Sequence, residues 1–197
     1  MVCKIRRLAA CVGLLGAMGC LALAGCGADD QSVGGPNNLP PAQPRAEAMS
    51  TGQITAVLSS IDEAETKQAQ TALERLEDDI VRGYARKVLT AHEAAEMEVD
   101  ALTHKFGTKP EASAMKKELE QLADQTQRSI ADESVARLPM AYLDAQVQMH
   151  KKALVMTDKM QDAAQPTELR SYLENYRAML KQHLDEAQDL RKRFPER

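Results

Sequence analysis

The sequence predicts an all-α fold. Aromatic residues make up 3% of the 197 residues and tryptophan is absent. Ala, Leu, Glu, Gln, Lys and Met are frequent, and these are strong helix formers. From Ser50 towards the C-terminus, apolar residues recur at steps of three and four, the period of a helix with one buried face. The length is enough for one domain with its own core plus additional segments.

The N-terminal 25 residues predict a secretory signal, and residue 26 predicts a lipid attachment site. Met1–Arg7 is short and basic, and Leu8–Ala24 is apolar but too short and too rich in small residues for a good spanning helix. The segment ends in Leu23-Ala24-Gly25-Cys26, which resembles a bacterial lipobox. That resemblance implies cleavage before Cys26 and lipidation of Cys26. The competing interpretation is an uncleaved anchor or an ordinary signal.

The residue after Cys26 indicates which membrane would hold the protein. It is Gly27 and not Asp. By resemblance to lipoprotein sorting in enterobacteria, this implies the outer membrane, facing the periplasm, rather than inner-membrane retention. Several acyl chains on one residue would hold the protein stably on the membrane. The other cysteines, Cys3, Cys11 and Cys20, all lie in the segment that cleavage before Cys26 would remove. A lipidated mature domain would therefore have no free thiol, which excludes disulfides and Cys-ligated metals.

Two further segments complete the predicted organisation. Residues 26–49, which start at Cys26, are rich in Gly, Asn and Pro and poor in apolar residues, which predicts a disordered tether. Residues 50–194 are predicted to form the helical bundle. The bundle has no basic patch with interleaved aromatics, which argues against nucleic acid as a partner.

The first two helices are predicted on either side of an acidic break. Ser50 with Gln53 forms a capping box, and the apolar stripe after it contains two polar members, Glu65 and Gln68. The cluster Glu77-Asp78-Asp79 interrupts the pattern. A second helix is predicted over Val81–Phe106, where His92 is a titratable residue near the middle of the apolar stripe.

Three more helices follow. The third is predicted over Pro110–Glu133, behind a capping box of Thr108 and Glu111, and its apolar face is thin. Leu138-Pro139 opens the fourth helix, whose stripe includes His150, and Gln165-Pro166-Thr167 ends it. The fifth helix carries His183 on its stripe and stops before Pro195.

Short connections make successive helices alternate in direction, so the fourth would run parallel to the second. Two antiparallel hairpins joined by a connection as long as the bundle form the ferritin-like arrangement. The sequence therefore predicts a ferritin-like up-down bundle of five helices, in which the third is a peripheral crossover and the other four form the core.

Each of the four core helices has one titratable residue on its apolar stripe. These residues are Glu65, His92, His150 and His183. Counting residues outward from each turn gives the position of a side chain along the bundle axis. Glu65 and His92 come out at the same level, whereas the level of His183 depends on where the last turn is centred. Three imidazoles and one carboxylate at one level could hold Zn, Fe, Mn or Cu. There are two alternatives. The four side chains could form a structural network that satisfies their hydrogen bonds among themselves, or the helices could be aligned so that the four residues do not lie at one level.

The pattern also excludes several chemistries. A ferritin-like di-iron site needs Glu-x-x-His on two helices. The residues three before the four histidines are not acidic; they are Leu89, Ala101, Val147 and Leu180. His104, the fourth histidine, lies between stripe positions and is predicted at the surface. No nucleophile set or phosphate loop is present either, so no catalytic residue is assigned.

Four motifs carry a resemblance that covers about Thr51–Leu190. They are Ala56-Val57-Leu58 through Asp62 and Glu65, Val81-Arg82-Gly83-Tyr84-Ala85 leading to His92, Tyr142-Leu143-Asp144-Ala145-Gln146-Val147 leading to His150, and His183-Leu184. They resemble a known family, the bacterial domain of unknown function 4142. The resemblance implies a ferritin-like fold and an outer-membrane location. The family usually has Asp where this chain has Ala91, which weakens the idea that a carboxylate orients His92. It commonly has Phe-Asp ahead of the tyrosine, where this chain has Leu138-Pro139-Met140.

Two functional hypotheses remain at this point. The leading one is a non-enzymatic structural or interaction module, attached to the membrane by its lipid and open to envelope protein partners. The other is a metal-binding bundle, with Glu65, His92, His150 and His183 as ligands, in metal handling or stress response. The sequence leaves the metal, the oligomeric state and the biological role open.

The lipid attachment is testable in cells. We expect Cys26→Ala to abolish incorporation of radiolabelled fatty acid and to release the protein from the membrane fraction, because the acyl chains would be its only attachment. Cys20→Ala, which alters a poorer match to the motif, is the matched control and should leave labelling unchanged. Labelling that survives Cys26→Ala would contradict the assignment.

Overall fold

A computed structural model describes residues 48–194, and these form five α-helices with no strand among them. The helices are α1 (Thr51–Leu73), α2 (Asp79–Lys105), α3 (Ala114–Ala131), α4 (Leu138–Ala163) and α5 (Thr167–Arg191). The all-α prediction is confirmed. The signal, Cys26 and all but the last two residues of the tether lie outside the described range. None of the described helices has the length and apolarity needed to cross a membrane.

The helix starts agree with the sequence at α1 and differ at α2 and α3. Ser50 and Gln53 form the predicted capping box, with Gln53 N–H donating to Ser50 Oγ at 3.0 Å and Ser50 N–H to Gln53 Oε1 at 3.1 Å. Helix α2 starts at Asp79, two residues earlier than predicted, because the Asp78 carboxylate caps it.

The predicted capping box of Thr108 and Glu111 is wrong, because α3 starts only at Ala114 with Ser113 as its cap. Glu111 instead accepts a hydrogen bond from Ser50 Oγ at 2.9 Å, and its N–H donates to the Gly52 carbonyl at 3.1 Å. These bonds hold residues 108–112 against the first turn of α1. Gly52 permits this approach, since a Cβ there would overlap the Lys109 carbonyl oxygen.

The contacts along the helices give their directions. Glu111, before α3, lies at the start of α1, and Arg75, after α1, donates to the Ala131 carbonyl at the end of α3 (2.8 Å), so α1 and α3 are parallel. Lys105 pairs with Glu168 and Lys87 with Glu186, so α2 and α5 are antiparallel.

Helix α3 packs on α1 and α4, whereas α1, α2, α4 and α5 surround the core. This confirms the predicted bundle of four core helices and one peripheral helix that connects the two hairpins.

The core consists of two apolar clusters with a polar layer between them. The first cluster surrounds Ile54–Ile61 of α1, and the second surrounds Ala69–Leu76. Between them, buried polar side chains come from four helices: Asp62, Glu65, Gln68, His92, Gln146, His150 and His183. The bundle therefore places its polar side chains where the clusters exclude water from both ends.

The two glycines near the start of α1 and within α2 provide a matched stability test. Gly52→Ala should lower the free energy of unfolding by about 1–3 kcal/mol, because the new methyl group displaces the Lys109–Glu111 backbone. Gly83→Ala, at a helical position with nothing within 4 Å, should raise it by about 0.5–1 kcal/mol. Urea denaturation of both variants measures the difference, and equal stabilities would contradict the close approach at Gly52.

Candidate functional site

Three histidines from three helices meet in the polar layer. The ring centroids are 5.3 Å apart for His150 and His183, 5.6 Å for His92 and His183, and 5.7 Å for His92 and His150. One nitrogen from each ring lies within 4.8 Å of the other two. Exposure is 0% for His92 and His150 and 2% for His183. His183 is therefore level with the other two, which the sequence left open.

A carboxylate orients His92, although the sequence argued against one. Asp62 Oδ1 accepts hydrogen bonds from His92 Nδ1 at 2.7 Å and from the Tyr176 hydroxyl at 2.6 Å. The expectation drawn from Ala91 is therefore wrong, because α1 supplies the carboxylate instead of α2. One signal could have identified Asp62, since it lies three residues before Glu65 and hence on the same face of α1.

The hydrogen bonds assign the tautomers of two histidines. His92 Nδ1–H donates to Asp62, so its Nε2 carries the lone pair. His150 Nδ1–H donates to the Gln146 carbonyl at 2.9 Å, so its Nε2 also carries a lone pair, which accepts a hydrogen bond from His183 Nδ1 at 3.3 Å. Metal-ligating histidines are held in the same way, with one ring nitrogen bonded to an oxygen and a lone pair on the other.

The spacing of the nitrogens fits a metal ion after a small adjustment. Ligands about 2.0–2.1 Å from a tetrahedral ion lie about 3.3 Å from one another. The His150–His183 separation of 3.3 Å already has this value. The separations within the trio do not exceed 4.8 Å, so any further approach that an ion requires is at most about 1.5 Å.

The structure places Glu65 behind His150, away from the point where the three rings meet. Glu65 Oε1 lies 3.2 Å from His150 Nδ1, but the Nδ1 proton is directed at the Gln146 carbonyl. Glu65 Oε2 accepts from Gln146 Nε2 at 2.6 Å. Of the four residues expected to be level, three have converging nitrogens, and Glu65 contacts the ring of one of them.

Burial determines the protonation of this layer. Desolvation lowers the pKa of His150 well below its usual value and lowers that of His183 to about 4, with His92 adding to both shifts. Desolvation also raises the pKa of Glu65 to about 7 and raises that of Asp62. His150 and His183 are therefore neutral at pH 7, which is the form that binds metals.

Three buried polar atoms in this layer have no hydrogen-bond partner among the described residues. They are Asp62 Oδ2, Glu65 Oε1 and His92 Nε2. Unpaired buried groups are costly and usually mark an ion or an ordered water. Two of the three atoms are carboxylate oxygens and the third is an imidazole lone pair, and all three are ligands for cations.

A second set of hydrogen bonds joins the layer to the rest of the bundle. The Tyr84 hydroxyl lies 3.1 Å from the His183 carbonyl, to which it donates, and 3.3 Å from Gln146 Oε1. Gln68 Nε2 donates to Thr126 of α3 at 2.9 Å. The predicted surface position of His104 is confirmed, because its side chain is exposed.

A family model described as a domain of unknown function (DUF4142) matches residues 37–190, which is most of the chain. No curated protein matches the chain. No solved structure matches it.

The raised pKa of Glu65 predicts a pH-dependent stability. The folded pKa of about 7 exceeds the ordinary 4.5, so the metal-free wild type should lose roughly 3 kcal/mol relative to Glu65→Gln as the pH rises from 4.5 through 7. Denaturation of both proteins across this pH range measures the difference.

Glu63→Gln, at an exposed position on the same helix, is the control and should follow the wild type throughout. A constant difference in stability between Glu65→Gln and the wild type would mean that Glu65 ionises normally.

Proposed function

The chain belongs to the DUF4142 family, whose description assigns no function, and from the geometry of the site we propose that the bundle binds one transition-metal ion. The ligands are one nitrogen each from His92, His150 and His183. The observation that carries the proposal is the convergence of three buried imidazoles, one of which, His92, has an unpaired Nε2. The ion is one of Zn, Cu, Fe or Mn, since imidazole suits borderline transition metals.

The surrounding charge supports a divalent ion. The three imidazoles are uncharged ligands, so they cannot neutralise an ion themselves. Two buried carboxylates, Asp62 and Glu65, each contact the Nδ1 edge of one of the histidines. A bound cation would favour ionisation of both, and the two negative charges would balance the ion in the low-dielectric core.

The competing function is the structural or interaction role that the sequence favoured. The observation in its favour is the internal pairing of the neighbouring amides, since Gln146 bonds Glu65 and Gln68 bonds Thr126 without any ion. In that case ordered water would satisfy the three unpaired atoms. The two functions differ in whether stability depends on metal.

The location is part of the proposal. Lipidation at Cys26 and the tether after it would hold the domain on the periplasmic face of the outer membrane. A metal site there suits metal handling in the envelope, either alone or with an envelope protein partner.

Metal content and metal-dependent stability test the proposal directly. Protein purified without chelator should contain about one equivalent of metal, and at a free concentration of about 100 Kd the ion should add about 2.7 kcal/mol to the free energy of unfolding. His150→Ala should lose both effects. Elemental analysis and thermal melts with each of the four metals are the measurements.

His104→Ala is the matched control, because His104 is exposed and outside the cluster. It should keep the metal content and the stabilisation of the wild type. A metal-free protein whose melting temperature ignores all four metals would overturn the proposal and leave the structural role.

The role of Asp62 can be tested separately. Asp62→Asn keeps the shape of the side chain but removes the charge that orients His92, so metal affinity should fall about 10–100-fold while binding still occurs. Titration calorimetry of the variant, beside Glu63→Gln as an exposed neighbour, measures the change. Unchanged affinity in Asp62→Asn would show that the carboxylate does not act on the site.

A further inference from the structure

The four tyrosines of the chain form two pairs next to the histidines, and the chain has no tryptophan. Tyr84 and Tyr142 have ring centroids 6.1 Å apart, and both are buried. Tyr172 and Tyr176 have ring centroids 5.6 Å apart and are stacked with an interplanar angle of 24°. The second pair differs from the first because Tyr172 is half-buried, so this pair connects the protein surface to the interior.

The inner member of the stacked pair contacts the histidine site in two ways. Its ring centroid lies 6.2 Å from that of His92, with the planes at 88°. Its hydroxyl donates to Asp62 Oδ1 at 2.6 Å, and the same oxygen accepts from His92 Nδ1. Tyr176 therefore shares a hydrogen-bond acceptor with a proposed metal ligand.

This arrangement has the two properties that one-electron oxidation of a buried tyrosine requires. Oxidation makes the phenol a strong acid, so its proton needs an acceptor within hydrogen-bond reach, and Asp62 Oδ1 is one. The electron needs a short route to the surface, and the stacked ring of Tyr172 supplies it. Tyr142 lacks the first property, since its hydroxyl has no hydrogen-bond partner among the described residues.

We propose that Tyr172 and Tyr176 form an electron relay between one-electron redox partners at the surface and a redox-active ion at His92, His150 and His183. The inference rests on the proposed metal site and narrows its occupant to copper, iron or manganese. The partner is a one-electron oxidant that approaches the half-buried Tyr172 from the surface.

The steps balance in electrons and protons. The oxidant takes one electron from Tyr172, which keeps its phenolic proton in the hydrogen bond to the Ala95 carbonyl at 3.3 Å and at once recovers an electron from Tyr176. Tyr176 transfers its phenolic proton to Asp62 Oδ1 as it loses the electron. Tyr176 then recovers an electron from the reduced ion, and the proton returns from Asp62. The net result is one electron moved from the ion to the oxidant with no proton gained or lost.

Flash photolysis with a photogenerated ruthenium(III) polypyridyl complex tests the relay in two arms. The metal-free arm follows the tyrosyl radical by electron paramagnetic resonance. The copper(I)-loaded arm follows the appearance of copper(II). Each arm compares the wild type with Tyr172→Phe, Tyr176→Phe and the control Tyr142→Phe, and thermal melts establish that each variant is folded.

We expect a buried tyrosyl radical in the metal-free wild type, formed more slowly in deuterated water because a proton moves with the electron. Tyr176→Phe should lose this radical, and both Tyr172→Phe and Tyr176→Phe should lose rapid copper oxidation. Tyr142→Phe should keep both signals.

Several outcomes would overturn the relay. One is a tyrosyl radical signal or a rate of copper oxidation in Tyr176→Phe equal to that of the wild type. Another is a loss of either readout in Tyr142→Phe as large as the loss in Tyr176→Phe. A protein that takes up no metal would instead refute the proposed function, and the metal-free arm would still decide whether Tyr172 and Tyr176 carry the electron.

Discussion

The hydrogen bond between His92 and Asp62 is the interaction on which the arrangement of the site depends. It crosses from α2 to α1, and Tyr176 of α5 donates to the same carboxylate oxygen, so three core helices meet at one atom. His92 and Asp62 are both fully buried. Removing one partner of such a pair typically costs about 3–5 kcal/mol, because the other partner is left as an uncompensated buried group. The bond also determines which nitrogen of His92 is free.

The polar layer is tolerated because apolar clusters enclose it at both ends. Each buried Leu, Ile or Met side chain contributes about 1.5–3 kcal/mol by leaving water, and the two clusters contain many such residues. The same enclosure strengthens the electrostatics of the layer, since water cannot screen the groups inside it. The shifted pKa values of Glu65, His150 and His183 are the consequence of this enclosure.

The peripheral helix α3 contributes to the enclosure. It covers α1 and α4 from outside, and Thr126 receives a hydrogen bond from Gln68 at the edge of the polar layer. Arg75, just beyond the end of α1, donates to the Ala131 and Glu133 carbonyls and so satisfies acceptors at the end of α3. The thin apolar face of α3 fits this peripheral position, since only one side of α3 meets the core.

The sequence by itself determined the helices, their order and the face that each one buries. Apolar spacing at three and four residues is a local property, and so is the position of His92, His150 and His183 on that spacing. The prediction that these histidines share a bundle core followed from those local facts together with short connections. Loop positions were less predictable, because Glu111 pairs with Ser50 and Gly52, which are distant in sequence.

Only the tertiary structure decided which side chains meet across the core. Periodicity places Asp62 and Glu65 on one face of α1, but it does not say which of them reaches His92 and which reaches His150. That choice depends on how far each helix is rotated and shifted against its neighbours, and a fraction of a turn changes the partner. For this reason the sequence assigned Glu65 to the site and gave Asp62 no role beyond the family resemblance, and the packed bundle assigned each carboxylate to its own histidine.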